Sequence, residues 1–437
     1  MLRIRALGPT AVMLLGTSIA LASDGYFPVG YGIKSQGMGG VGVALPQDGL
    51  AAATNPAGMA LVPDRADIGL TWLSPNRSTQ IVDNGFAGVN GTYDGNGHRN
   101  SVIPEFGYLK KIDQTTTVGV AVYSHGSMDT QYDLNVNYGA HVNDNIPYSF
   151  LGANNDAGIK LEQWFVSPSV AYKPNEQHAL GLALNFAYQR FSAHGLGAVL
   201  TTGSSEPSSN PRDVIQSGTD TSIGWGIRLG WTGQVTPELT LGASWASKIN
   251  NRKFKNESGL FENGGSFDIP ENYGVGLAYK VAPGWTFSTD ISRIKYGSVN
   301  QVANPISIIA LGNYPLGSTI GPGFGWNNVT VVKLGVSYDV APSVTLRAGY
   351  NHAGQVIPNG RTYFNILAPA TVHKHLTVGG TWKTSTGGEL SAAYVHGFKN
   401  TLKGVNSIPA SYPFYGGGNA DISTEENTLG IAYGWKF

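Results

Sequence analysis

Thr428-Leu429-Gly430-Ile431-Ala432-Tyr433-Gly434-Trp435-Lys436-Phe437 is the stretch on which the fold turns. Side chains alternate sides along a strand, so Leu429, Ile431, Tyr433, Trp435 and Phe437 share one face. Thr428, Gly430, Ala432, Gly434 and Lys436 share the other. A soluble β-sandwich also alternates, but it buries its bulky face and exposes a charged one. Here the face opposite the bulky residues is small or weakly polar. That pattern suits a wall with lipid outside and a lumen inside. The same rhythm runs through Leu180, Leu182, Leu184, Phe186 and Tyr188, opposed by Gly181, Ala183, Asn185, Ala187 and Gln189. It returns at Ile223, Trp225, Ile227, Leu229 and Trp231, opposed by Gly224, Gly226, Arg228 and Gly230.

Working outward, fourteen such segments begin near Ala66, Ser101, Thr115, Leu161, Gln177, Thr221, Glu238, Glu271, Trp285, Asn328, Ser343, Val372, Gly388 and Glu426. The connections after even-numbered segments are tight: Asp113-Gln114, Pro174-Asn175-Glu176, 234–237, Pro283-Gly284, Ala341-Pro342 and Ser385-Thr386-Gly387. Those after odd-numbered segments run about 19 to 35 residues. An even strand count with loops sorted by length is the layout of a bacterial outer-membrane barrel, and a sandwich has no reason to sort its loops. This predicts an all-β fold: a 14-stranded antiparallel transmembrane β-barrel with residues 126–160 looping outside the cell. Past the first residues no apolar run approaches the roughly 18 residues a membrane helix needs, so only a closed barrel satisfies the backbone in lipid. Composition agrees, since only 13% of residues are charged while Phe, Tyr and Trp number 16, 21 and 9. With no Cys there is neither a disulfide framework nor a thiol ligand, and zero formal net charge points away from nucleic acid.

The ends set the compartment. Arg3 and Arg5 precede an apolar run over 11–22 that ends in Ala20-Leu21-Ala22, a small-x-small signature. Residues 1–22 therefore read as a cleaved signal peptide, with cleavage after Ser23 nearly as good. Residues 23–65 are dense in glycine, contain Asn55-Pro56-Ala57, and carry Tyr26, Phe27, Val29, Tyr31, Met38, Leu50, Met59 and Leu61. That apolar content favours a hatch plugging the lumen over a disordered tail. Residues 66–437 form the barrel.

A signal peptide, a glycine-rich stretch ending in Asn55-Pro56-Ala57, and fourteen strands together resemble the FadL-type long-chain fatty acid transporters of the outer membrane. Strands such as VSPSVAYKPNEQHALGLALNFAYQRF (166–191), IPENYGVGLAYKVAPGWTFSTDISRIKY (269–296) and LGVSYDVAPSVTLRAGYNHAGQVIPN (334–359) carry the likeness over essentially the whole mature chain. The resemblance implies an N-terminal hatch and an inward kink in the third strand, residues 115–125, that opens the wall sideways. By resemblance the opening falls at Val118, Gly119 and Val120, and Pro104 on the neighbouring strand cannot donate to a ladder. It also implies passive uptake of an apolar small molecule, with lateral exit into the bilayer. Phe437 resembles the signal read by the barrel-assembly machinery.

A fatty acid carboxylate needs a cation in the lumen and an apolar surface for its tail. By parity the inward basic residues are Lys333, Arg228 and Arg347; the inward acids Glu105 and Asp290 offer them alternative partners. Phe27 supplies apolar surface, and by resemblance Lys333 is the preferred carboxylate contact. A mixed-charge lining is also what any water-filled lumen carries. His352, His373 and His375 approach the outer ends of adjacent strands, where exposed loop histidines are the commoner occurrence than a metal site. No Gly-x-Ser-x-Gly elbow and no His-Glu-x-x-His is present. The reading is a transporter rather than an enzyme, with no cofactor and no metal; its partners are the apolar cargo and outer-membrane lipid. A general diffusion porin, or an adhesin or lipase on a barrel scaffold, are the competing readings. Pattern alone leaves long-chain fatty acids, alkanes and small aromatics undivided.

Overall fold

The computed structural model describes residues 24–85, 89–132, 157–194, 208–210, 218–305, 314–410 and 416–437. The signal peptide and its cleavage site lie outside the described residues. The wall is built from β1 (Arg65–Val82), β2 (Gly91–Asp94), β3 (Ser101–Lys111), β4 (Thr116–Tyr132) and β5 (Ala157–Tyr172). It continues through β6 (His178–His194), β7 (Asp220–Gln234), β8 (Leu239–Ala246), β9 (Asn272–Ala282) and β10 (Trp285–Ile294). It ends with β11 (Val329–Ala341), β12 (Val344–Ala353), β13 (Lys374–Lys383), β14 (Glu389–Leu402) and β15 (Asn419–Lys436).

Neighbours in sequence pair antiparallel, and β15 returns to β1 from Arg65↔Lys436 to Val82↔Asn419, so the sheet has no open edge. β2 only doubles the outer end of β1, pairing with Ser78–Ile81, which leaves fourteen spanning strands. Closure matters because an unpaired N–H or C=O in hydrocarbon costs several kcal/mol. β4 and β5 run further than the repeat suggests: strand structure continues to Tyr132 and resumes at Ala157, so part of the expected 126–160 loop is wall.

The bulky parity faces outward. Leu180, Leu182, Leu184, Phe186 and Tyr188 are all exposed, whereas the alternating Ala183, Asn185, Ala187 and Gln189 are buried. Near the short turns the outward rings gather into a girdle, with Trp285 and Tyr338 stacked at 4.4 Å and Phe437 against Tyr108 at 5.8 Å. Amphipathic rings settle at a membrane–water boundary, which sets the level of the wall in the bilayer. Among the described residues no helix is long and apolar enough to cross a membrane.

Residues 24–64 lie against the inward face of this wall. They contain two single-turn helices, α1 (Ile33–Gln36) and α2 (Ala51–Thr54), and a 3-10 turn over Pro56–Leu61. Tyr26, Met38, Val41, Ala52, Ala57 and Met59 are fully enclosed, which accounts for apolar residues in a stretch that no sheet repeat explains.

Candidate functional site

The inward glycines and charges of the wall make a mould for residues 24–64. Asn55 caps the 3-10 turn by accepting from Ala57 N (3.1 Å), and its amide donates to Val43 O (2.7 Å) and Trp231 O (3.0 Å). The Asn55-Pro56-Ala57 turn presses on Gly181 of β6 and Gly230 of β7, which are paired neighbours; a Cβ on Gly181 would collide with Ala57 N, and one on Gly230 with Asn55 Oδ1. The glycines that read as a small face in the sequence are therefore sites of close approach. Around the circumference, Asp67 accepts from Gly49 N (2.8 Å), Glu105 from Gly32 N (3.2 Å), and Asp290 from Gly42 N (2.8 Å) and Val43 N (3.0 Å). At the foot, Lys34 of α1 pairs with Glu389 (2.5 Å), which also meets Arg65 (2.9 Å) and Lys436 (2.5 Å). Burial lowers the Lys34 ammonium from its ordinary range, aided by nearby Arg65 and opposed by Glu389. Burial, with Asp67 close by, pushes the Asp48 carboxyl up to about 6.

All three inward cations expected from parity do face inward, and each is engaged. Lys333 donates to Val29 O (2.6 Å) and lies 3.8 Å from Asp24. Arg228 donates to Thr54 O (3.2 Å), and Arg347 donates to Gln47 Oε1 (2.9 Å). Burial raises the Asp24 carboxyl, and Lys333 works against that shift. Phe27 is buried, edge-on to His125 (4.2 Å) and Tyr296 (5.8 Å). His375 is enclosed between Asn351 (3.2 Å) and Glu426 (3.1 Å), while His352 is exposed on the opposite face of the wall, so the three histidines do not converge.

One seam of the barrel is incomplete. β3 pairs with β4 only from Lys111↔Thr117 to Phe106↔Val122. Above that, Ser101–Glu105 pair with β1 alone and 123–132 with β5 alone, until Gly97 N meets Gln131 O (3.0 Å) at the outer end. Val118, Gly119 and Val120 thus fall in the paired part, and the gap begins after Val122. Pro104 lies in the unpaired stretch. The cause is legible in β4 itself. Ser124, His125, Ser127, Asp129, Thr130 and Gln131 put polar groups on both parities, so neither face suits hydrocarbon. The strand turns inward instead: its residues 123–130 are all buried, with the register slipping between Ser124 and Gly126. His125, at the slip, shares a 2.7 Å hydrogen bond with Tyr31. Trp164 of β5, outward by parity, packs against the inward-facing Leu73 and Ile103 and so fills the space β4 vacates.

Two cavities meet at this point. One, of about 70 Å³, is lined by Phe27, Arg228, Asn272, Asp290 and Lys333. The other, of about 30 Å³, is lined by Gln36, Thr71, Ile103, Glu105, Tyr123 and Ser124, and reaches the incomplete seam. Pro28, Gly30 and Tyr31 border both. The smaller has room for about two waters, so Tyr31 stands as a closed partition between lumen and seam. Sequence reading missed Tyr31 and His125 as a pair; the polar run 124–131 was the signal that marks them.

A model of the family described as outer membrane protein transport protein (OMPP1/FadL/TodX) matches residues 19–437. No curated protein sequence matches. Among solved structures the chain is similar to the P. putida toluene transporter TodX, at 17% identity and a TM-score of 0.66, covering 94% of this chain and 99% of that one. It is similar to a Pseudomonas aeruginosa FadL homologue at 14% identity and 0.69, covering 94% and 100%. The Ralstonia pickettii toluene transporter TbuX follows at 17% identity and 0.61, covering 94% and 99%. At these identities the likeness is one of fold.

Proposed function

From a chain that belongs to the OMPP1/FadL/TodX family of outer-membrane transport proteins, and so transports hydrophobic compounds, we infer a passive route that ends sideways in the bilayer. Residues 24–64 act as the hatch, and cargo passes the Tyr31 partition into the gap between β3 and β4. The observation that carries this reading is the incomplete seam with a cavity behind it. Energetics point the same way. An apolar chain gains about 0.8 kcal/mol for each CH₂ that leaves water, and straight passage into the periplasm forgoes that gain. The seam-side cavity carries Glu105 and no cation, which supports cargo that is uncharged as it leaves. A toluene-sized hydrocarbon meets that condition, and so does a protonated fatty acid.

Glu105 and Tyr123 are the first positions beyond the last β3–β4 pair, and both line the cavity. Glu105→Cys with Tyr123→Cys therefore extends the ladder by one covalent step, and no native Cys interferes. Oxidised cells are expected to lose uptake of radiolabelled toluene or oleate and recover it on reduction. Full uptake through a verified disulfide excludes the sideways route. Whichever label the reduced cells accumulate assigns the cargo.

A further inference from the structure

The outward face of β10–β13 ends differently from the rest of the wall. Arg293, His352 and Lys374 close the apolar outward runs of β10, β12 and β13, with Thr330 on β11 between them. His352 is paired directly with Lys374, and Arg293 with Thr330, to whose hydroxyl it donates (2.7 Å). His352, Lys374 and Thr330 are exposed. The three basic residues lie nine, ten and eleven residues from the short turns at the feet of their strands. At about 3.3 Å per residue and a tilt near 40°, that is roughly 23 to 28 Å along the membrane normal, close to the height of the apolar band. The three side chains therefore sit at the outer boundary of the membrane, on its lipid side.

Among the described residues none of the three pairs with a carboxylate. At a similar level on β1 and β15 the outward residues are the uncharged Asn76 and Asn427, and higher on β6 Arg190 is neutralised by Glu162 at 3.4 Å. On the neighbouring strand Glu271, two residues before the Tyr273 that pairs with Arg293, accepts from Trp245 Nε1 (2.7 Å). A cationic row on one sector, open to lipid, is complementary to a phosphate carried on the headgroup of an outer-leaflet lipid.

We propose that Arg293, His352 and Lys374 form a docking row for a phosphorylated outer-leaflet lipid, with acyl chains lying along the apolar faces of Ile291, Leu334 and Leu376 beneath. Each basic residue near an anionic lipid surface contributes about fivefold in affinity. The permanent charges of Arg293 and Lys374 together are thus expected to contribute roughly twenty-five-fold.

Native mass spectrometry of the detergent-extracted full chain, titrated with rough-type lipopolysaccharide, tests this. Wild type is expected to retain the lipid, and the Arg293→Gln/Lys374→Gln variant to bind it roughly twenty-five-fold more weakly. Phosphatase-treated lipid is expected to bind wild type as weakly as the variant. Lys403→Gln, which changes charge at an exposed position away from the row, should leave retention unchanged. Lys374→Gln alone, at an exposed position, is expected to give about fivefold if the double variant does not assemble. Equal retention by wild type and variant, or equal retention of phosphorylated and dephosphorylated lipid, overturns the assignment.

Discussion

Trp164 packs on two residues of the lumen side although its parity turns it to lipid. The contradiction disappears once β4 leaves the wall, because the indole then reaches across the vacated space to Leu73 and Ile103. Such a part-buried aromatic contact is worth about 1–2 kcal/mol. Trp164→Ala is expected to speed uptake of an apolar label by roughly fivefold to thirtyfold if this ring limits exit. Barrel assembly, read as heat-modifiable mobility, should not change, since all the ladder bonds remain. An unchanged uptake rate would assign the indole to packing alone. Val118, Gly119 and Val120, which family resemblance puts at the opening, lie just below it in the paired ladder, where Gly119 is crowded by Leu109, Tyr108 and Met59.

At the scale of elements, the wall and the segment inside it obey different rules. A strand in this barrel needs one lipid-compatible face, and where β4 loses both it bends inward. The 24–64 segment has no sheet repeat and is held instead by backbone N–H groups on inward carboxylates and by the Lys34–Glu389 pair. Asp48 is the titrating member near that foot. Docked, its carboxyl holds a proton up to about 6, whereas a free Asp loses it near 3.8. The contribution of Asp48 to docking is therefore fully present below the free value, weakens as pH rises through that window, and is flat above it. In planar bilayers, ion conductance is expected to climb between about pH 4 and pH 6, and Asp48→Asn should abolish that rise. A rise that survives in Asp48→Asn would move the titration to another group.

For the molecule as a whole, closure lets the wall supply its own ladder partners. Fourteen antiparallel neighbours pair in sequence order, so no ladder bond between spanning strands needs residues 24–64. Deleting residues 24–57 from the mature chain is expected to leave a heat-resistant barrel with higher ion conductance and impaired uptake of apolar cargo. Unchanged conductance would mean that the segment does not plug the lumen. Orientation follows from the short turns and Phe437, which share one end. Protease added to intact cells should cut within residues 133–156 and spare Pro174-Asn175-Glu176; the reverse pattern would invert the topology.

The sequence by itself determined the wall. Period-two hydrophobicity and loop sorting are local consequences of a lipid face and a lumen face, so strand starts such as Ser101, Thr221 and Trp285 fall within a residue or two of their place. The parity that put Lys333, Arg228 and Arg347 inside is local in the same sense. β5 and β15 begin earlier than their patterns suggest, at Ala157 and Asn419, because their outer ends leave the hydrocarbon and lose the need to alternate. Only the tertiary structure decided what those inward charges hold, since Val29, Thr54 and Gln47 reach them from a segment with no periodicity to read. It alone decided where the seam opens. A missing ladder is a relation between two strands, and the polar run in β4 signals that the strand must leave the lipid without saying which neighbour it abandons.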